Sequence, residues 1–395
     1  MKKILLIEDD QLLANIYRNK FSVEHFQVET AADGETGFEL INSFQPDVVI
    51  LDLMLPKMSG LDLLKQIRGQ AALKQLPVIV FSNTYLSNMV QQAWKEGATK
   101  CLSKASCTPK QIIEVVRGLV QPKPANTPEA VPAGADPVPA AESDTDVVFQ
   151  SGLRHDFLAS LPAILAASRS HLQAVAKSAN EIERAKFLNG LYQGIRALTG
   201  SAGAAGVLDI AQMADALEAL LKELCDKPKS LNASTLRTIA SAIDFLGVLF
   251  AEAAKPGAHD TQLQSKVNIL VVDDEAISRR AVTYALEKAK LPSVAVENPE
   301  IALGMLGENF YDLVFLDVDM PGMNGFELCT KLRALHRNKN TPVVFVTGLN
   351  DFESRANSTM SGGNDLIAKP FLFMELAVKA LIYVLRGRLA KAATN

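Results

Sequence analysis

The sequence is poor in the side chains that carry thiolate and imidazole chemistry. Among 395 residues it has four cysteines, five histidines and one tryptophan. The cysteines show no spacing typical of a zinc site or a disulfide framework. They are Cys101, Cys107, Cys225 and Cys329. Free thiols in a reducing compartment are the interpretation that this pattern favours, so we expect a cytoplasmic protein whose chemistry uses other residues.

A basic surplus and long apolar runs are also absent. The formal net charge is −4 and the sequence pI is about 5.8, which does not point to nucleic acid or an anionic membrane as a partner. The apolar run near the start ends at Glu8, which is too short for a signal peptide. No uninterrupted apolar run approaches the roughly 18 residues of a membrane span. We therefore expect no nucleic-acid and no membrane partner.

What the sequence does contain is an internal repeat. The stretch "PDVVILDLMLPKMSGLDLL" matches "YDLVFLDVDMPGMNGFELC", and Asp9 recurs 265 positions later as Asp274. Three other polar positions keep the same offset, which gives the pairs Asp52/Asp317, Ser82/Thr347 and Lys104/Lys369. In each copy, short β-branched runs alternate with amphipathic helical stretches. This alternation predicts βαβ units and a doubly wound parallel sheet.

The segment between the copies has a different character. Residues 122–147 are rich in proline and alanine and predict an extended linker, and residues 257–266 predict a second, shorter linker. Residues 148–256 show no strand pattern. Four helical stretches are predicted there, over 152–178, 181–205, 208–226 and 232–254. Four helices of this length predict an all-α four-helix bundle.

In each copy, acidic and hydroxyl residues directly follow the apolar runs, so they lie at the carboxyl ends of strands, where doubly wound sheets form their ligand crevice. Several carboxylates in one crevice repel one another, and a hard divalent cation such as Mg²⁺ relieves that repulsion. One carboxylate can then act as a nucleophile on a phosphoryl group. A lysine and a hydroxyl can neutralise and bind the phosphoryl oxygens.

On these motifs, residues 1–121 and 267–395 each resemble a response-regulator receiver domain, which implies a five-stranded flavodoxin-like (βα)5 fold. The resemblance implies that Asp52 and Asp317 are phosphoacceptors. It implies that Mg²⁺ is held by these two residues and by Glu8, Asp9, Asp273 and Asp274, with the backbone carbonyls of Met54 and Asp319. Ser82 and Thr347 would be the switch hydroxyls, and Lys104 and Lys369 the phosphate-binding lysines.

The sequence departs from the family pattern at two places. Cys101 and Leu366 stand where the family usually has an aromatic switch residue, so we expect no aromatic gate in either copy. The family lysine precedes a cis proline, which Lys369 does, whereas Lys104 precedes Ala105. We therefore expect the loop that holds Lys104 to be displaced and the second copy to accept phosphate faster.

The middle segment contains "GIRALTGSAGAAG", residues 194–206. Its glycines follow a helical stripe rather than a strand, which argues against a dinucleotide site. The stretch is similar to the signature of histidine-phosphotransfer (Hpt) domains, but Arg196 replaces the histidine and Thr199 the lysine. A guanidinium has no free lone pair for phosphoryl transfer. We expect a non-transferring docking surface, with Arg196 exposed beside Gly200.

The sequence favours a bacterial two-component response regulator that receives phosphate from a histidine kinase or Hpt protein. Its output would be contact with other receiver or effector proteins, because no other catalytic segment is recognisable. Two alternatives stay open. One is a phosphate sink; the other is a phosphorylation-independent scaffold or inhibitor, in which Arg196 contacts the carboxylates of a receiver. A phosphosite moved to His155 or His171 is a less favoured possibility.

Overall fold

The structure is a computed structural model and describes residues 1–83, 87–120, 144–255, 267–348 and 360–392. The predicted linker 257–266, and all but the last four residues of the predicted linker 122–147, lie outside the described residues. The contacts divide the chain into two compact units. One comprises residues 1–161 with 197–211, and the other comprises residues 162–196 with 212–395.

The first unit contains a five-stranded parallel sheet of order β2-β1-β3-β4-β5. Its strands are β1 (Lys3–Ile7), β2 (Gln27–Ala31), β3 (Val48–Leu51), β4 (Val78–Ser82) and β5 (Lys100–Ser103). Helices alternate with them along the chain: α1 (Gln11–Val23), α2 (Gly34–Phe44), α3 (Gly60–Gly69), α4 (Ser87–Lys95) and α5 (Pro109–Val120). The predicted doubly wound flavodoxin-like fold is confirmed.

Two apolar clusters cover the two faces of this sheet. On one face the side chains of Ile4 and Leu6 in β1 pack with Tyr17 and Phe21 of α1 and with α5. On the other face Leu5 and Ile7 pack with α2, α3 and α4. Burial on both sides explains why these strands are continuous apolar runs rather than alternating ones.

The second unit contains a sheet of the same topology, of order β7-β6-β8-β9-β10. Its strands are β6 (Ile269–Val272), β7 (Ser293–Val296), β8 (Leu313–Leu316), β9 (Val343–Thr347) and β10 (Asp365–Ala368). The described helices around it are α10 (Ala276–Lys288), α11 (Pro299–Glu308), α12 (Gly325–Ala334) and α13 (Phe373–Ala392). The 265-residue repeat of the sequence is therefore a repeat of the fold.

Four helices lie between the two sheets in the chain: α6 (Asp144–Lys177), α7 (Glu181–Ala204), α8 (Leu208–Asp226) and α9 (Ala233–Ala253). Three agree closely with their predicted ranges. The first begins at Asp144 rather than at 152, so the end of the predicted linker is helical. Gly206 follows α7 with a φ of +71°, a conformation that glycine adopts easily, and it ends the helix. The helical region is shared between the two compact units.

Within the described ranges, α9 is the one helix that is long and apolar enough to cross a membrane by length and composition. In this fold 44% of its apolar window is buried. Its hydroxyl side chains also bond α13, since Thr238 donates to the Glu375 carboxylate. Packing against other helices of the same unit accounts for the apolar character of α9.

Candidate functional site

The strand ends of the first sheet bring three carboxylates together. Glu8 directly follows β1 and Asp52 directly follows the neighbouring β3, and the backbone N–H of Asp52 donates to the carbonyl of Ile7 at 3.0 Å. One carboxylate oxygen from each of Glu8, Asp9 and Asp52 lies within 4.8 Å of the others. The sequence predicted this convergence correctly, because parallel strands end at one edge of the sheet.

Lys104, directly after β5, completes this cluster. Its ammonium nitrogen lies 2.6 Å from one oxygen of Glu8 and 2.7 Å from Asp52 Oδ2. The three side chains are between 2% and 5% exposed, so the ion pairs are buried. The expectation that the loop holding Lys104 is displaced was wrong. The backbone N–H of Lys104 still donates to the carbonyl of Ser82 at 3.0 Å, and this sheet-edge bond holds the loop in place.

The second sheet carries the same cluster at the corresponding positions. Asp273, Asp274 and Asp317 each offer an oxygen within 4.8 Å of the others. Lys369 Nζ lies 3.0 Å from Asp273 Oδ2 and 3.1 Å from Asp317 Oδ2. The Lys369–Pro370 peptide bond is cis, as the sequence predicted.

A glycine lets the loop after Asp52, and the loop after Asp317, turn back on itself. A Cβ on Gly60 would lie 2.0 Å from the Asp52 carbonyl oxygen, and one on Gly325 would lie 2.1 Å from that of Asp317. No side chain tolerates such a distance, so both loops require glycine for steric reasons. The two positions are equivalent in the repeat, which makes this close approach a shared feature of the two sites.

The electrostatics of both clusters leave an excess of negative charge. Three carboxylates and one lysine sum to a formal charge of −2 in each. In the second cluster, burial raises the pKa of Asp317, and the nearby Asp273 charge adds to that effect, while the hydrogen bond from Lys369 opposes it. Burial alone would lower the pKa of Lys369, but its bonds to Asp273 and Asp317 raise it overall.

The two predicted hydroxyls also lie at the strand ends. Ser82 is the last residue of β4 and Thr347 the last of β9, and their exposures are 2% and 0%. In the described part of the chain, Ser82 Oγ has no hydrogen-bond partner. A buried hydroxyl without a partner costs free energy, so this atom is suited to an oxygen supplied by a ligand.

The two clusters differ in accessibility at several corresponding positions. The Lys104 side chain is 5% exposed and that of Lys369 is 21% exposed, while Asp52 is at 2% and Asp317 at 8%. Asp9 is partly buried, whereas Asp274 is exposed. The remaining predicted ligands are Met54, which is partly buried, and Asp319, which is exposed. Coordination by their carbonyl groups stays a prediction.

The three residues singled out in the helical region lie on α7 with unequal exposure. Arg196 is half-buried, so the expectation that it lies exposed beside Gly200 was wrong. Thr199 is fully buried, and Gly200 is buried as well. The helix is enclosed on more than one side, which a short motif does not reveal. A contact between Arg196 and receiver carboxylates stays a prediction.

The sequence analysis missed one hydroxyl at the second cluster. Ser278 in α10 is buried and donates a hydrogen bond to Asp273 Oδ2. The repeat gave no signal for it, since the equivalent position in the first copy is Leu13. This difference between the copies is a local feature of the second site.

A family model for the response regulator receiver domain matches residues 4–117 and 269–381, more than half of the chain. The chain belongs to the response regulator receiver domain family. The two matched ranges contain the two sheets and their acidic clusters. The predicted resemblance is confirmed for both ends of the chain.

Parts of this chain are also similar to individual known proteins. The transcriptional regulatory protein ResD of Bacillus subtilis (strain 168) is 38% identical over 120 residues, covering 30% of this chain and 49% of ResD. The Francisella response regulator 1452 receiver domain is 28% identical, with a TM-score of 0.29, and the match covers 30% of this chain and 98% of that one. The chain spans about half the length of the curated relatives it matches. Two receiver domains with such relatives support a role in two-component signalling.

Proposed function

We propose that this protein is a response regulator in a two-component phosphorelay, with Asp52 and Asp317 as the phosphoacceptors. The observation that carries the proposal is the duplicated geometry of the acceptor carboxylate. In each receiver domain a lysine ammonium lies within 3.1 Å of the aspartate at the end of the central strand. That arrangement places a cation beside the oxygen on which a phosphoryl group would be carried.

The residues present fit a magnesium ion. Each crevice holds three carboxylates with oxygens within 4.8 Å of one another, and its formal charge of −2 matches a divalent cation. Hard oxygen donors of this kind are what Mg²⁺ prefers. Glu8, Asp9 and Asp52 would hold it in the first receiver, and Asp273, Asp274 and Asp317 in the second. When bound, the ion supplies charge neutralisation for the transferring phosphoryl group.

The transfer step uses the acceptor carboxylate as a nucleophile. One oxygen of Asp52 or Asp317 forms a bond to phosphorus while the bond from phosphorus to the donor breaks, and the donor leaves with the electron pair. A histidine donor takes up a proton from water as neutral imidazole forms. Lys104 or Lys369 moves its hydrogen bond from the carboxylate to a phosphoryl oxygen, and Ser82 or Thr347 donates its hydroxyl to another.

Site-specific labelling tests the assignment. The full chain is incubated with acetyl phosphate and Mg²⁺, and incorporated phosphoryl groups are counted by intact mass and mapped by peptide analysis. We expect labelling of the parent, of Asp52→Asn and of Asp317→Asn, and none of the double variant. Persistent labelling of the double variant would refute both acceptor assignments. The variants Asp62→Asn and Asp312→Asn are matched controls, because these carboxylates lie outside the clusters.

The helical region, in this proposal, is an Hpt-like module that does not transfer phosphate. Arg196 stands at the histidine position of the signature, and a guanidinium cannot act as the nucleophile. Incubation of the Asp52→Asn, Asp317→Asn double variant with a phosphorylated histidine kinase or Hpt protein tests this point. Phosphate stable to alkali on residues 144–255, including His155 or His171, would contradict it. If the helical region transfers no phosphate, as proposed, the output of the protein is contact with other proteins.

The alternative functions make a different prediction for affinity. A response regulator changes its partner contacts on phosphorylation, whereas a phosphorylation-independent scaffold does not. Pull-down from a bacterial lysate, with and without BeF₃⁻ and Mg²⁺, separates the two, with the double acceptor variant as the control. An unchanged set of partners, in protein shown by mass to carry BeF₃⁻, favours the scaffold.

A further inference from the structure

The last turns of α7 lie directly on the lysine loop of the first receiver. A Cβ on Gly203 would lie 1.9 Å from the carbonyl oxygen of Lys104 and 3.3 Å from the Cα of Ala105. Backbone therefore packs on backbone, and only glycine permits the approach. Lys104 is the residue whose ammonium contacts Glu8 and Asp52, so the helix abuts the phosphorylation site itself.

Neighbouring residues of α7 extend this contact over α1. A Cβ on Gly200 would lie 3.0 Å from a methyl group of Leu13. Ala204 belongs to the apolar cluster that also contains Leu13, Tyr17 and Cys107. One end of α7 is thus part of the core of the first receiver. The small residues of the "GSAGAAG" stretch are explained by this packing.

The start of α6 also contacts α1 of the first receiver and the end of α7. The buried ammonium of Lys20 in α1 forms an ion pair with Asp146 and lies 5.1 Å from the centre of the Phe149 ring. Gln150 Nε2 donates a hydrogen bond of 2.9 Å to the carbonyl of Ala204. This bond ties the start of α6 to the end of α7, and both pack on the first receiver.

We propose that residues 197–206, fastened by residues 146–150, form a receiver-docking surface that the first receiver of the same chain occupies. We call residues 197–206 the docking helix end. While it is docked, a protein phosphodonor cannot approach Asp52 over α1 and the Lys104 loop. The lower exposure of Asp52 and Lys104 than of Asp317 and Lys369 supports this inference. The inference rests on the proposed function, since it assumes that Asp52 accepts phosphate.

Docking and phosphorylation are coupled through Lys104. Its ammonium bonds the acceptor carboxylate, while its carbonyl supports Gly203. A phosphoryl group on Asp52 draws the ammonium to a new oxygen, and the short loop transmits that movement to the carbonyl. Because coupling is reciprocal, release of the docking helix end promotes phosphorylation, and phosphorylation promotes release.

The glycines of α7 give a matched set of variants for the test. Gly203→Ala introduces a methyl group that collides with the Lys104 backbone, while it raises intrinsic helix propensity. Gly194→Ala makes the same chemical change in the same helix, at a position where the described residues leave open space around a Cβ. Both are made in the full chain carrying Asp317→Asn, so that labelling reports on Asp52 alone.

The measurement is the rate of phosphoryl transfer to Asp52 from a phosphorylated Hpt protein with Mg²⁺. We expect Gly203→Ala to raise the rate roughly tenfold or more, because the rate scales with the fraction of molecules in the open state. Gly200→Ala should give a smaller increase, since it meets only a flexible leucine side chain. Gly194→Ala should match the parent. Equal rates for Gly203→Ala and Gly194→Ala would overturn the inference.

Two further measurements keep the result interpretable. Asp146→Asn breaks the ion pair with Lys20 without touching α7, and it should also raise the rate at Asp52. Hydrogen exchange of residues 197–206 should increase on addition of BeF₃⁻ and Mg²⁺, and it should not do so in Asp52→Asn.

The failure of the inference can be told apart from the failure of the proposed function. If neither Asp52 nor Asp317 is ever labelled, the proposed function fails. If Asp317 is labelled and Asp52 is insensitive to all variants, the inference alone fails.

Discussion

Ser234 Oγ donates a hydrogen bond of 2.6 Å to Glu375 Oε1, which joins α9 to the last helix of the second receiver. Thr238 donates a second bond of 3.1 Å to the same oxygen, and Glu375 is only 3% exposed. A buried carboxylate depends on such donors. The second receiver is therefore attached to the helical region by a polar contact as well as by apolar packing.

Thr238→Val tests this attachment. The substitution keeps the shape of the side chain but removes one donor from the buried Glu375 carboxylate, which should cost about 1–3 kcal/mol of stability. We expect a lower urea midpoint and faster hydrogen exchange in α9 and α13. Ser241→Ala, on an exposed position of α9, is the control and should leave both unchanged. Equal exchange in the two variants would show that the bond contributes little.

The lysines should differ in their contribution to stability. Lys104→Met leaves Glu8 and Asp52 buried without a cation, and loss of one partner of a buried ion pair costs about 3–5 kcal/mol. Lys369→Met should cost less, because the Lys369 side chain is 21% exposed and its ion pairs are therefore better solvated than those of Lys104. Unfolding in denaturant, monitored by hydrogen exchange, gives the free energy of unfolding of each receiver separately. A larger loss in the second receiver would contradict this ranking.

Removal of divalent cations should destabilise both receivers. A cation that binds only the folded state adds about 2.7 kcal/mol at a free concentration a hundred times its dissociation constant. We expect the unfolding midpoint to rise with Mg²⁺ and to fall again with EDTA. The double variant Asp9→Asn with Asp274→Asn should lose most of the rise. A midpoint that is independent of Mg²⁺ in the parent would argue against metal sites in these crevices.

The two acceptors should be labelled in a fixed order in the intact chain. Asp317 and Lys369 are more exposed than Asp52 and Lys104, so a protein donor should reach Asp317 first. Peptide mapping at early times gives the order directly. We expect mostly singly labelled protein with the phosphoryl group on Asp317. Early labelling of Asp52 alone would contradict this expectation.

The thiols provide a pH-dependent check on packing. Burial raises the pKa of Cys107 to about 12 and that of Cys101 to about 11. A raised pKa lowers the thiolate fraction, so at about pH 8 only about one Cys107 in ten thousand is reactive. Alkylation should therefore be slow and should accelerate as pH rises toward those values. Denatured protein is the control. If the alkylation rate of native Cys107 rose with a midpoint near the ordinary pKa of cysteine, Cys107 would not be buried.

Local patterns were sufficient to predict most of the helices and strands, and the carboxylates and the lysine of both clusters. Asp52 and Asp317 directly follow continuous apolar runs, and such runs form central parallel strands whose ends meet at one edge. The position of Lys104 was harder to predict from the sequence, because the alanine after it suggested a displaced loop. A backbone bond to Ser82 and two buried ion pairs hold Lys104 in place, and none of these is visible in a local motif.

The sequence by itself determined the duplicated receiver fold, the aspartates after its central strands and a helical segment with a glycine-rich end. Periodicity and spacing carry that information because they act over neighbouring residues. Only the tertiary structure decided what the glycines touch and which receiver is more covered. Gly203 and Lys104 are distant in the chain, and their contact depends on how whole helices pack. The difference between two receivers with the same motif therefore arises from packing around the site, which no residue within the motif encodes.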